Sequence, residues 1–211
     1  MVPVGSGGHV VTRLVANVAL EVIPDREPLV LYVASANQML GKVDSIRQSE
    51  RLRAPVHLVT RSPAQLPSRW IGLEIVDHVI WDHADVTDLT PSQQLALVEW
   101  VRQGGTLLIA SAARADTLAR SEVFEPLLPV KFGKVVRTED LPTFRRQLLR
   151  AGLDGQVDAG YRDGVSVMQA TLREAPLVES ILEDNLSVAG AEGPESTVLI
   201  SSRGVGRGRL I

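Results

Sequence analysis

The densest cluster of chemistry-bearing side chains lies between positions 77 and 88, where Asp77 and His78 are followed by Trp81-Asp82-His83-Ala84-Asp85-Val86-Thr87-Asp88. Four aspartates and two of the chain's 4 histidines fall in this window. Imidazole and carboxylate suit zinc and other divalent ions. The spacing argues against that use: adjacent residues in a strand, as Asp77 and His78 are expected to be, point to opposite faces, and neither H-E-x-x-H nor another defined ligand pattern is present. The favoured reading is a solvated, turn-forming acidic loop that aims the following helix, with no metal bound.

Nucleophilic catalysis is the second chemistry to weigh. The chain has no cysteine, so a thiolate nucleophile, Cys-ligated zinc and a disulfide framework are all excluded. A serine could take the role: Ser111 as nucleophile, His83 as base and Asp82 behind it form the enzyme hypothesis at its sharpest. A nucleophile elbow usually reads G-x-S-x-G, whereas the context here is Ile109-Ala110-Ser111-Ala112-Ala113. The alanines are small enough to fit a tight turn, but a serine after a buried strand more often caps a helix. No catalytic residue is assigned on this ground. Arg203-Gly-Val-Gly-Arg-Gly-Arg209 invites comparison with a phosphate-binding loop. It lacks the lysine and hydroxyl of the P-loop and opens no helix, so a basic hairpin tip is expected. Trp70, Trp81 and Trp100 read as core or pocket-wall residues.

These residues need a scaffold, and the hydrophobic pattern supplies one. Leu29–Ala34 is a continuous apolar run of buried-strand length, and Val56–Thr60, Val76–Trp81 and Thr106–Ala110 read as further short strands, all but the third of these four strongly apolar. Between the first two, Gln38 to Arg53 carries Met39, Leu40, Val43, Ile46 and Leu52 near helical spacing. Between the last two, Thr90-Pro91-Ser92-Gln93 gives an N-cap, a proline at the first helical position and a glutamine three residues after the cap, and Gly104-Gly105 ends the helix. Strands alternating with helices across short loops predict a parallel sheet, hence an α/β fold. In such sheets ligands bind beyond the carboxyl ends of the strands. The candidate pocket residues are therefore Ser35 and Asn37 after the first strand, Thr60 and Arg61 after the second, Asp82, His83 and Asp85 after the third, and Ser111 after the fourth.

The remainder is less regular. Val10 to Val22 reads as extended structure, so residues 1–28 are an N-terminal β segment or the end of a preceding domain. Residues 29–211 form the α/β domain, with an irregular insertion at about 112–196 that includes helices near Ala115–Phe124 and Leu141–Ala151. Val198–Ser202, a glycine turn and a returning strand to Ile211 make a hairpin that rejoins the main sheet. Because the chain stops inside that strand, a fragment of a longer protein is expected.

At 211 residues, 45% hydrophobic and a net charge of −3, the composition is that of a soluble globular domain. It offers no basic footprint for nucleic acid, and no run approaches the roughly 20 apolar residues of a membrane span. Aromatic residues make up only 4% of the chain, too few for a base- or sugar-stacking surface.

The segments Leu66–Trp81 and Asp88–Ile109, above all the W-V-x-x-G-G-T-L element at Trp100–Leu107, resemble the class I glutamine amidotransferase-like superfamily. More narrowly, they resemble its uncharacterised bacterial members inside membrane-anchored proteins, and Gly206-Arg-Gly-Arg-Leu210 is similar to a G-x-G-R-V hairpin of those domains. The resemblance covers roughly residues 29–111 and 197–211. It implies a flavodoxin-like, doubly wound sheet and an envelope-facing or cytoplasmic domain of a membrane-anchored protein. Active members place a nucleophilic cysteine at a sharp turn after a core strand, and the matching turn here reads Ser111-Ala112-Ala113. The expectation is thus a catalytically inactive binding or scaffolding module without a cofactor, acting on a small ligand or protein partner. A Ser111/His83 hydrolase or amidotransferase-like enzyme is the alternative.

Overall fold

The computed structural model describes residues 27–35, 56–110, 114–138, 141–150, 165–173, 178–186 and 195–211. The expected strand over Val10–Val22, the expected helix over Gln38–Arg53, Asn37 and Ser111 lie outside those residues.

Four apolar runs become the parallel strands β1 (Leu29–Ala34), β2 (His57–Arg61), β3 (His78–Asp82) and β4 (Thr106–Ala110). Helix α1 (Pro91–Gln103) connects β3 to β4. Its start is set locally. The Thr90 hydroxyl accepts from the Gln93 amide at 3.3 Å, and Gln93 Oε1 accepts from the Thr90 amide at 2.8 Å. Two otherwise orphaned donors are satisfied reciprocally. The buried Gln93 also donates through Nε2 to the carbonyls of Leu66 at 2.6 Å and Ala64 at 3.2 Å, tying the helix start to the loop before β3. Gly104, at φ 131°, ends the helix in a conformation that disfavours any side chain.

Beyond β4 come α2 (Ala115–Arg120), β5 (Val130–Thr138), α3 (Pro142–Arg150), β6 (Val165–Leu172), β7 (Val178–Leu186), β8 (Glu195–Val205) and β9 (Gly208–Leu210). The main sheet runs β2-β1-β3-β4-β9-β8-β7. Pairs from β2 to β9 are parallel, while β9-β8 and β8-β7 are antiparallel, so the protein is an α/β fold on a mixed, mostly parallel sheet. The β8–β9 hairpin does rejoin it, through β9 beside β4. The stretch at about 112–196, read from sequence as irregular, contains an antiparallel β5–β6 ribbon and the edge strand β7.

Side-chain alternation divides the sheet. Leu31, Val33, Val79, Trp81, Leu107 and Leu210 enter one core, packed with Leu97, Val98, Trp100 and Val101 of α1. On the opposite face Val30, Tyr32, Ala34 and Leu58 form a second cluster. Trp81 and Trp100 are core residues, as the sequence suggests, with the Trp81 indole donating to the Ala84 carbonyl at 2.9 Å. Trp70 is 36% exposed. No described helix is long and apolar enough to cross a membrane.

The arginine-glycine run makes contact with α1. Arg207 donates its amide to Arg102 O at 2.9 Å and Nη2 to Gln103 Oε1 at 3.1 Å. At Gly208 a Cβ would stand 2.0 Å from the Val101 carbonyl oxygen and 2.3 Å from that of Gly105, so backbone fills the space. Gly208→Ala is therefore expected to destabilise by about 1–3 kcal/mol or more through overpacking. Thr90→Ala should cost about 1 kcal/mol as a lost cap. Urea unfolding of both variants checks the order, and a neutral Gly208→Ala would mean that β9 does not seat against α1 as described.

Candidate functional site

The strand order reverses at β1, which has β2 on one side and β3 on the other. The crevice outside the carboxyl ends of strands at such a reversal is where ligands of open α/β sheets bind. Here Ala34, the last residue of β1, pairs with Asp82, the last of β3, and Ser35 and His83 follow directly after the two strands.

Asp82 is 5% exposed. A carboxylate withdrawn from water must be hydrogen-bonded or neutralised, and two neighbours meet that need. The Tyr32 hydroxyl, from the centre of β1, donates to Asp82 Oδ2, and His83 Nδ1 bonds Asp82 Oδ1. A carboxylate only accepts, so Nδ1 carries the proton of this bond, and in the neutral imidazole Nε2 is the bare nitrogen. Burial first, then the hydrogen bond to Asp82 and its charge, push the Tyr32 phenol well above its ordinary range.

Neighbouring side chains of a regular strand cannot meet, because they face opposite sides. Asp82 and His83 meet because His83 leaves the strand at φ 52°, the only positive φ at a non-glycine among the described residues. That left-handed conformation costs energy outside glycine and is held by its surroundings. The His83 amide donates to Ala110 O at 3.4 Å, and Ser35 Oγ donates to His83 O at 3.5 Å. The ends of β1, β3 and β4 are thereby joined through one residue.

Of the candidates read from sequence, Ser35, Asp82 and His83 come together. Arg61 is exposed at the end of β2 and donates to its neighbour's carbonyl, Thr60 O, at 2.8 Å. Asp85 belongs to a separate arrangement. Its Oδ1 accepts from the Thr87 amide at 2.9 Å and the Thr87 hydroxyl at 2.7 Å, and its Oδ2 pairs with Arg114 at 2.5 Å. The Thr87 hydroxyl is the first cause that lowers its pKa, burial opposes, and the Thr87 amide and Arg114 add to the lowering. The cluster at 77–88 is split in the same way: Asp77 accepts from the Leu29 amide at 2.8 Å, while His78 is exposed on β3. Among the described residues no three His, Cys, Asp or Glu side chains could hold one metal ion.

Tyr32 is the site residue that the sequence reading passed over as one more apolar strand position. A tyrosine inside a fully buried strand needs a partner for its hydroxyl, and that requirement was the available signal. The other missed feature is a cavity of about 500 Å³ beside His83. It lies between β4, β9 and β8 of the main sheet and the β5–β6 ribbon, with Phe144 of α3 in its wall. Among the described residues, His83 and Ser201 are the lining side chains that bear nitrogen or oxygen.

No protein-family model matches the chain, and no curated protein matches it either. Among solved structures, a cytoplasmic protein from Salmonella typhimurium is similar at 12% identity and a TM-score of 0.49, covering 87% of this chain and 85% of that one. An exo-beta-1,4-mannosidase from Opitutaceae bacterium strain TAV5 is similar at 17% identity and a TM-score of 0.42, covering 87% of this chain and 30% of that one.

The two shifted groups give opposite pH signatures. Asp85 is lowered on folding, so its stabilisation is complete above the ordinary carboxylate pKa, about 3.9, and fades as pH falls through the folded value. Asp85→Asn is expected to flatten stability below about pH 4 in acid titration. Tyr32 is raised, so its contribution is complete below the ordinary phenol pKa, about 10, and fades as pH rises toward the folded value. Of the chain's 2 tyrosines, the one at 32 should ionise only as the protein unfolds in alkali. Tyr32→Phe should remove that step from the absorbance titration.

Proposed function

We propose that this chain is a ligand-binding or scaffolding domain on a flavodoxin-like, glutamine amidotransferase-like fold, without glutaminase activity. The observation that carries this reading is the cavity of about 500 Å³ with His83, the partner of the buried Asp82, in its wall. Its volume is in the roughly 300–1,000 Å³ range of small-molecule sites, and its apolar lining suits binding. The parallel order β2-β1-β3-β4-β9 supports the flavodoxin-like assignment. A glutaminase of the superfamily proceeds through a cysteine thioester, and the sequence has no thiol to form one.

One observation favours a second reading, a serine hydrolase using Ser111, His83 and Asp82. The carboxylate–imidazole bond that orients a catalytic base is present, and the His83 amide bonds the carbonyl of Ala110, the residue before Ser111.

A single set of assays separates the two. The purified protein is tested for ammonia release from glutamine, for hydrolysis of p-nitrophenyl esters, and for thermal shift with glutamine, nucleotides, sugars and apolar compounds. The binding reading predicts no turnover and a shift of roughly 5–10 °C for a ligand at about 100 times its Kd. Ester hydrolysis abolished by Ser111→Ala would overturn it in favour of the hydrolase, and ammonia release from glutamine would overturn it outright.

A further inference from the structure

The cavity is built from three directions. Leu108 and Ala110 of β4, Val198 and Ile200 of β8 and Leu210 of β9 line it from the main sheet. Phe132, Met168 and Ala170 close it from the β5–β6 ribbon, and Phe144 from α3. The Ala170 amide donates to Thr197 Oγ1 at 2.9 Å, tying the ribbon to β8 of the main sheet. Within the ribbon Arg173 donates through Nε to Val130 O at 3.2 Å, and it pairs with Glu125 in the turn before β5. Among the described lining residues these walls offer mostly carbon to a ligand, with the Ser201 hydroxyl on β8, and His83 is the titratable side chain.

The electrostatics at His83 select the ligand's polar group. Nδ1 is committed to Asp82, so the ring offers Nε2, which accepts a hydrogen bond in the neutral imidazole. Directly behind the ring is the buried Asp82 carboxylate. An anionic head placed against Nε2 meets a bare lone pair and a like charge one ring-width away. A neutral hydroxyl meets a bare lone pair to which it can donate its proton in a hydrogen bond.

We propose that this cavity binds a neutral amphiphile, an apolar body carrying one hydroxyl group that donates to His83 Nε2. The proposal rests on the binding-domain reading above and adds the ligand class. The dyad discriminates against the carboxylate of the same chain length, and the ribbon and α3 provide the apolar wall.

The test uses the full chain and two matched probes, 1-octanol and octanoate, at mildly alkaline pH, followed by amide chemical shifts and by displacement of a bound apolar fluorophore. The expected result is saturable binding of 1-octanol that perturbs His83, Leu210 and Ile211, with octanoate weaker by about tenfold or more. Met168→Trp and Ala170→Leu, which add bulk to the cavity wall, should abolish binding of both probes in a protein whose circular dichroism is unchanged. Should either variant fail to fold, His83→Phe is the second line: it should keep the apolar contribution and erase the preference for the alcohol. Equal affinity for both probes, or a tighter octanoate, overturns the proposed selectivity. Binding of neither overturns the cavity as an amphiphile site and leaves the binding-domain reading to its thermal-shift assay. Ser111-dependent ester hydrolysis would be the separate failure of that reading.

Discussion

The buried Asp82 carboxylate sets the terms for the end of this sheet. Solvation that water would give must come from protein donors, and they come from two strands at once: Tyr32 from β1 and His83 from the end of β3. Meeting that need holds two parallel strands in register where their order reverses. It also holds His83 in a left-handed backbone conformation that the residue would not choose alone. From there the amide of His83 reaches β4 and its carbonyl receives Ser35. One desolvated charge thus organises the mouth of the crevice, and its neighbour's imidazole becomes part of the wall of the adjoining cavity.

Local and buried features were legible in the sequence, and long-range ones were not. Helix α1 runs from Pro91 to Gln103 as its flanking residues predict, because a capping box and a glycine stop are written within a few positions of each end. Strand β1 was readable because a strand with two covered faces leaves a continuous apolar run, and β2 to β4 because each keeps a short apolar core between turn signals. Strand β7, Val178–Leu186, contains two glutamates, an aspartate and an asparagine, and its pairing with β8 depends on residues far along the chain. Nothing in its local pattern distinguishes it from a loop. The β5–β6 ribbon pairs Val130 with Leu172 and is equally non-local.

At the site the same division holds. Asp82 and His83 could be nominated from their place after an apolar run, but not their mutual bond, since regular strand geometry separates adjacent side chains. The bond exists because His83 departs from that geometry, a tertiary effect. Asp85, nominated with them, is drawn instead to Thr87 and Arg114, forming a turn that leads into the next elements. The cavity combines walls from distant parts of the chain, so composition alone could not have announced it.

Binding and hydrolysis would use the same imidazole differently, one as a hydrogen-bond acceptor for a ligand and the other as a base for Ser111. Both demand that Asp82 fix the ring with Nδ1 protonated and Nε2 bare. The most direct measurement is therefore a long-range proton–nitrogen correlation of the His83 ring at mildly alkaline pH. The account predicts the Nδ1–H tautomer, reverting toward the ordinary imidazole mixture in Asp82→Asn. An Nε2–H tautomer in the native protein would contradict it, because the ring would then present a donor to the cavity and the Asp82 bond would not be what holds the site.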